Sequence, residues 1–316
     1  MGSTHAEAYR VLDNAELVAV ADLVPERAQA IAARTGATVR SATEIIADPS
    51  IDVIDVCVPT YLHRDFVVAA ADAGKHVFCE KPMARSLKEA EEMKAACDKA
   101  GVRLGIGHVV RFFPEYIRAY NKVHSGVVGK VAVVRCTRGG FALPTAWKDW
   151  YANYEYSGGL VLDMIIHDFD YLRWLLGPVE RVFAKGTRGR DYNRLEYALV
   201  SLKFKSGAIA HVEGSWVNSG GFHTRFEIAG EKGLIDYDSR KANPITLTVN
   251  KAGGAPGVPV PASAWAESPY TTEIRNFINV LDGKEGQIVD GNEGYESLKV
   301  ALAALESIKT GKPVNL

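Results

Sequence analysis

Two rhythms of apolar and polar positions run through the first hundred or so residues. Short apolar runs at Glu16–Asp22, Ile51–Val58, His76–Cys79 and Arg103–His108 have the length and β-branched character of buried strands. Between them, Pro25–Thr35, about Leu62–Ala73 and Ser86–Ala100 carry apolar residues every three or four positions and predict helices. Pro25 suits a first helical turn. Ser86 with Glu89 three residues on forms a capping box, and Gly101 ends that helix. Strands separated by helices of this length predict βαβ units and a parallel sheet.

After about residue 128 the period shortens to two. Lys130–Arg138, Arg181–Thr187, Leu195–Lys205, Ala208–Trp216, His223–Ala229, Gly233–Asp238 and Ile245–Asn250 are strand-like. Several are joined by tight turns such as Lys205-Ser206-Gly207. An antiparallel sheet follows, with helices over about Thr271–Leu281 and Glu293–Thr310, and a surface loop at Ala252–Pro261. The fold class is α/β: a Rossmann-type parallel-sheet domain over residues 1–113, then an α+β domain with a large antiparallel sheet over 114–316.

Composition narrows the functions. A chain of 316 residues suggests about two domains. Lys+Arg 37 against Asp+Glu 38 leaves a formal charge of −1, without the basic footprint that nucleic-acid binding requires. No window reaches the ~18 apolar residues of a membrane span. Cys57, Cys79, Cys97 and Cys136 show neither C-x-x-C nor zinc spacing, which fits free thiols in the reducing cytoplasm.

In a doubly wound sheet, ligands bind at the carboxyl ends of the strands. Here those ends carry Asp22, Pro59-Thr60, Glu80-Lys81-Pro82 and His108. Asp22 lies 20 residues beyond Gly2, the distance at which a dinucleotide fold places an acid for the adenosine ribose, yet no G-x-G-x-x-G precedes it. Downstream, Gly159 to Gly177 predicts one apolar helix that places Asp163, His167 and Asp170 on a single face. An unpaired carboxylate there is costly, and Lys81 is its candidate partner. A zinc site on Asp163 and His167 lacks a third ligand at recognisable spacing.

Gly2-Ser3-Thr4-His5-Ala6, Glu80-Lys81-Pro82 after a strand, and Asp163-x-x-x-His167 after Gly158-Gly159 resemble the Gfo/Idh/MocA oxidoreductases over the whole chain. The resemblance implies an NAD-dependent dehydrogenase of a sugar, cyclitol or nucleotide-sugar, with no resident metal, assembled as a homodimer or homotetramer. It implies cofactor contacts at Gly2, His5, Asp22, Pro59, Thr60, His63, Glu80, Lys81 and His108. A carboxylate at Asp22 would repel the 2′-phosphate of NADP. The resemblance further implies His167 as acid/base, with Lys81 on the reacting oxygen and Asp163 holding the lysine and substrate in register. Substrate contacts fall on Arg111, Trp147, Trp150, Tyr151, Asp163 and His167. Gly107-His108-x-x-Arg111-Phe112 departs from the Asn-Arg-Arg-Phe run of inositol dehydrogenases and looks closer to nucleotide-sugar dehydrogenases.

Family members begin with a strand and glycine turn, so the expectation is that roughly 15–20 residues precede Met1 in a full-length form, leaving Glu16–Asp22 and Ile51–Val58 on either side of a gap. Four or five buried apolar side chains in such a strand are worth roughly 10 kcal/mol. Two other readings stay open: a non-catalytic dinucleotide or metabolite sensor, and NAD-assisted glycoside cleavage.

Overall fold

The computed structural model describes residues 1–140, 150–151, 153–188, 195–217, 221–241 and 267–316. The chain forms two compact units, one of residues 1–112 with 265–295 and the other of 113–264 with 296–316. The described residues 267–295, placed in the second domain by a division at 113/114, pack with the first unit.

The first unit opens with helix α1 (Gly2–Arg10), then β1 (Ala19–Val20), α2 (Pro25–Thr35), β2 (Thr38–Val39), α3 (Ala42–Ala47) and β3 (Val53–Val56). It continues through a short 3-10 turn (Thr60–Leu62), α4 (His63–Asp72), β4 (His76–Glu80), α5 (Leu87–Ala100) and β5 (Leu104–Gly107). The capping box forms as the sequence requires: Glu89 N–H donates to Ser86 Oγ at 3.2 Å, and Ser86 N–H donates to the Glu89 carboxylate at 3.0 Å. Gly101 ends α5 at φ 68°, where a Cβ would be strained.

All strand pairs of this unit are parallel. β1 pairs with β2, and β3–β4–β5 form a separate sheet. The break falls between the runs at Glu16–Asp22 and Ile51–Val58. With a single two-residue neighbour, the apolar run at Glu16–Asp22 keeps ladder pairing only at Ala19 and Val20.

Further elements are α6 (Pro114–His124), β6 (Val131–Gly139), α7 (Tyr154–Ser157), α8 (Gly159–Asp163), α9 (Ile166–Leu176), β7 (Val179–Arg188), β8 (Leu195–Phe204), β9 (Ile209–Ser215), β10 (His223–Gly230) and β11 (Gly233–Asp238). The chain ends with α10 (Pro269–Leu281), α11 (Gly291–Thr310) and β12 (Val314–Asn315). The strand expected at Ile245–Asn250 and the loop at Ala252–Pro261 lie outside the described residues.

Helix α10 belongs to the first unit because its apolar stripe completes that core. Ile274, Phe277 and Ile278 cluster with Ala8, Tyr9 and Leu12 of the first segment and with Phe78 of β4. A Cβ on Gly105 would fall 2.7 Å from the Phe277 ring, so only glycine lets α10 lie this close to β5.

Among the described residues of the second unit, seven strands form one sheet in the order β11-β10-β6-β9-β8-β7-β12. The expected antiparallel sheet is in fact mixed, because β6 and β9 run parallel. The chain between them contains α7, α8 and α9, ample for the crossover that a parallel pair needs. Alternation gives the sheet two faces. Val182, Ala184, Ala198, Val200, Leu202, Ala210 and Val212 are fully buried, while Phe183, Leu199 and Ile209 on the opposite face are exposed.

Candidate active site

The first unit supplies the strand ends. Asp22 follows β1, exposed, and its Oδ1 accepts the Val24 N–H at 2.8 Å in a turn that leads into α2. Pro59 and Thr60 follow β3, with Thr60 buried at the start of the 3-10 turn. His63 is buried, with its Nε2 2.9 Å from the Val58 carbonyl oxygen and Nδ1 3.0 Å from that of Pro82. Burial lowers its pKa, and the surrounding carbonyls of Val58, Met83 and Pro82 recover only part of the shift.

Glu80 ends β4 and is buried. One oxygen accepts from the Lys81 N–H at 3.1 Å; the other lies 3.1 Å from His5 Nε2. Burial pushes the Glu80 carboxyl up, but its hydrogen bond and charge contact with His5 hold it below the ordinary value. Its neighbour across the ladder is Gly107, where a Cβ would come within 3.4 Å of the Glu80 carboxyl group. Lys81 follows directly, half-buried. His108 is buried at the end of β5, and Arg111 is buried with its Nη2 donating to Glu293 at 2.7 Å.

His5 reaches further than the sequence suggests. Its Nδ1 lies 2.9 Å from Asp55 Oδ2 and 3.3 Å from Cys57 Sγ. Burial opposes a charged imidazole, yet Asp55 and Cys57 together raise the ring well above its ordinary value. The Cys57 thiol is pushed up to about 12 by burial, then by the Asp55 charge.

This donor set fits a dinucleotide. No side chain caps α1, so the first-turn N–H groups at Gly2 and Ser3 offer an anion site for phosphate. Asp22 offers a carboxylate for ribose hydroxyls, and Glu80 a second one at the end of β4.

In the second unit the expected single helix over Gly159–Gly177 is interrupted. α8 ends at Asp163 and α9 starts at Ile166. The Ile165 N–H skips a position and donates to the Leu160 carbonyl at 3.2 Å. The junction presses on β9: a Cβ at Gly214 would fall 2.6 Å from Ile165 Cγ2 and 3.1 Å from Leu160 Cδ2. Asp163 and His167 therefore sit on two helices, Asp163 buried and His167 half-buried. Asp170 does not share their surface. It is fully buried and accepts from Ser297 Oγ at 3.0 Å, and Ser297 in turn accepts from Arg173 at 2.9 Å.

Of the aromatic side chains expected at the substrate, Trp147 lies outside the described residues. Trp150 and Tyr151 stack with ring centroids 4.1 Å apart. Sequence reasoning missed Asp168 beside His167, which is bound by Arg138 of β6, and Asp55 and Cys57 beside His5. The i, i+2 spacing of Asp55 and Cys57 on one strand was the available signal.

Residues 1–108 match the family model described as "Oxidoreductase family, NAD-binding Rossmann fold", and residues 116–236 match "GFO/IDH/MocA C-terminal domain". The chain is 33% identical over 325 residues to a myo-inositol 2-dehydrogenase of Thermotoga maritima, covering 100% of this chain and 96% of the relative. It is 30% identical over 313 residues to a scyllo-inositol 2-dehydrogenase (NAD(+)) of Bacillus subtilis, covering 96% and 89%. The crystal structure of the WlbA dehydrogenase from Bordetella pertussis, in complex with NADH and UDP-GlcNAcA, aligns with TM-score 0.85 at 27% identity over 100% of this chain and 94% of that one. Among the described residues no helix is long and apolar enough to cross a membrane. With its strand-end carboxylates, its α1 N-terminus and these full-length likenesses, the chain belongs to the Gfo/Idh/MocA family of oxidoreductases and carries an NAD-binding Rossmann domain.

Proposed function

We propose that this chain oxidises a secondary alcohol of a cyclitol, sugar or nucleotide-sugar. The observation that carries the proposal is the end-to-end likeness to myo-inositol 2-dehydrogenase in a chain that places Glu80 and Lys81 at the carboxyl end of β4. When bound, NAD supplies the hydride acceptor. His167 takes the proton from the substrate hydroxyl, the general-base role that a positioned imidazole most often fills. The Lys81 ammonium hydrogen-bonds the same oxygen as negative charge develops on it. Asp163 holds the lysine and substrate in register. Arg111, Trp150 and Tyr151 contribute to the substrate side, with aromatic faces that suit the C–H face of a polyhydroxylated ring.

The Asp22 carboxylate supports NAD over NADP. The exposed apolar positions Phe183, Leu199 and Ile209 support self-association through the open sheet face, as a dimer or tetramer.

A panel of myo- and scyllo-inositol, aldoses, anhydrosugars and nucleotide-sugars, each with NAD and with NADP, tests the proposal. NADH formation with a member of the panel supports it. Dinucleotide binding without turnover on any substrate rejects it in favour of a sensor, and aglycone release from glycosides without net NADH rejects it in favour of glycoside cleavage.

A further inference from the structure

We propose that His5, Asp55 and Cys57 form a binding site for a divalent cation of the zinc class. The three side chains offer one nitrogen, one oxygen and one sulfur, all within 4.8 Å of one another. Their edges are 3.1 Å from His5 Nδ1 to Asp55 Oδ1, 3.3 Å from Nδ1 to Cys57 Sγ, and 3.2 Å from Sγ to the same Asp55 Oδ1. Zinc bonds of about 2.0–2.3 Å at tetrahedral angles need edges of roughly 3.3–3.6 Å, so the triangle must open by only a few tenths of an ångström.

Two features favour a cation over a chance cluster. Asp55 and Cys57 are two residues apart where β3 ends, so strand alternation aims both at the same side, and α1 brings His5 to meet them. The second feature lies on the far side of the imidazole, where Nε2 is 3.1 Å from the buried Glu80 carboxylate. A carboxylate behind a histidine is the outer partner that fixes ring orientation and raises ligand basicity in zinc sites. Glu80 is itself fixed by the Lys81 N–H at 3.1 Å.

Binding is a ligand exchange without redox change. The cation bonds to Nδ1, to a carboxylate oxygen and to Sγ. The Sγ–H proton and the proton on Nδ1 leave to water, while Nε2–H continues to donate to Glu80. A water molecule completes four-coordination. The mixed donor set suits zinc or cobalt better than magnesium or calcium, which take oxygen ligands.

The test uses the full chain, dinucleotide-free, stripped with chelator and titrated with Co²⁺ and then Zn²⁺. The expected result is one equivalent of Co²⁺ with a thiolate-to-metal charge-transfer band that Zn²⁺ bleaches. Cys57→Ser, which keeps a hydroxyl for the Asp55 hydrogen bond, loses the band, whereas Cys97→Ser retains it. Glu80→Gln weakens metal affinity roughly 10–100-fold. Thermal melts of the stripped variants establish that each is folded before titration. Absence of a charge-transfer band in the wild-type chain, or its persistence in folded Cys57→Ser, overturns the proposal and leaves the cluster as a hydrogen-bonded anchor of α1.

Discussion

Arg138 grips Asp168 with two parallel hydrogen bonds, Nε to Oδ2 at 2.7 Å and Nη2 to Oδ1 at 3.1 Å, between buried side chains. A third bond runs from Nη2 to the Tyr116 hydroxyl at 3.3 Å. The pair ties α9 to β6 at the residue next to His167. Removing one partner leaves a buried charge unmet, so Asp168→Ala is expected to cost about 3–5 kcal/mol in denaturant unfolding. The double replacement Arg138→Met with Asp168→Leu removes both charges and is expected to recover most of that loss. A loss from Asp168→Ala below about 1 kcal/mol, within the range of an exposed pair, would contradict the buried geometry.

His167→Ala is expected to reduce kcat about 10²–10⁴-fold, the usual contribution of a positioned base, with little change in dinucleotide affinity. Lys81→Met should lower kcat on a similar scale and also remove sensitivity to the charge on the substrate oxygen. Steady-state rates across pH, with dinucleotide binding measured separately, check both. A His167→Ala enzyme at full rate across pH removes the imidazole from the mechanism.

His63 links protonation to stability. Burial first, against the pull of three backbone carbonyls, keeps its folded pKa below the ordinary 6.5. The unfolded ring therefore takes up a proton at higher pH than the folded ring. Its contribution is complete above the unfolded value and is lost as pH falls through that value toward the folded one. Denaturant midpoints measured between about pH 7.5 and 5 should decline, and His63→Asn should flatten the decline. An identical slope in both proteins would mean that the native ring accepts the proton.

Leu199 and Ile209 are each more than 40% exposed on the same face of the second-unit sheet. Sedimentation is expected to show a dimer or tetramer for the wild-type chain and a monomer for Leu199→Asp with Ile209→Asp, at unchanged circular dichroism. A monomeric wild-type chain rejects self-association.

Local chemistry carried much of the fold. Ser86, Glu89 and Gly101 determine α5 within one stretch of chain, and Glu80-Lys81 falls at a strand end where the alternation of strands and helices puts it. Features that depend on distant partners were not legible. The break between Asp163 and His167 goes with the close approach of Leu160 and Ile165 to Gly214, some fifty positions on. Periodicity marks β6 and β9 as strands but carries no information on their relative direction. The His5 cluster joins residues separated by 50 and 75 positions, and nothing in the neighbourhood of His5 announces either partner.

The packing of α10 against Phe78, Tyr9 and Leu12 has a consequence for synthesis. A chain emerging from the ribosome presents residues 1–112 long before residues 269–281 exist. Until then the apolar side of β4 and α1 lacks its cover, and the first unit waits, unfinished, for a helix made near the end of translation. Chaperone engagement should be concentrated in that interval.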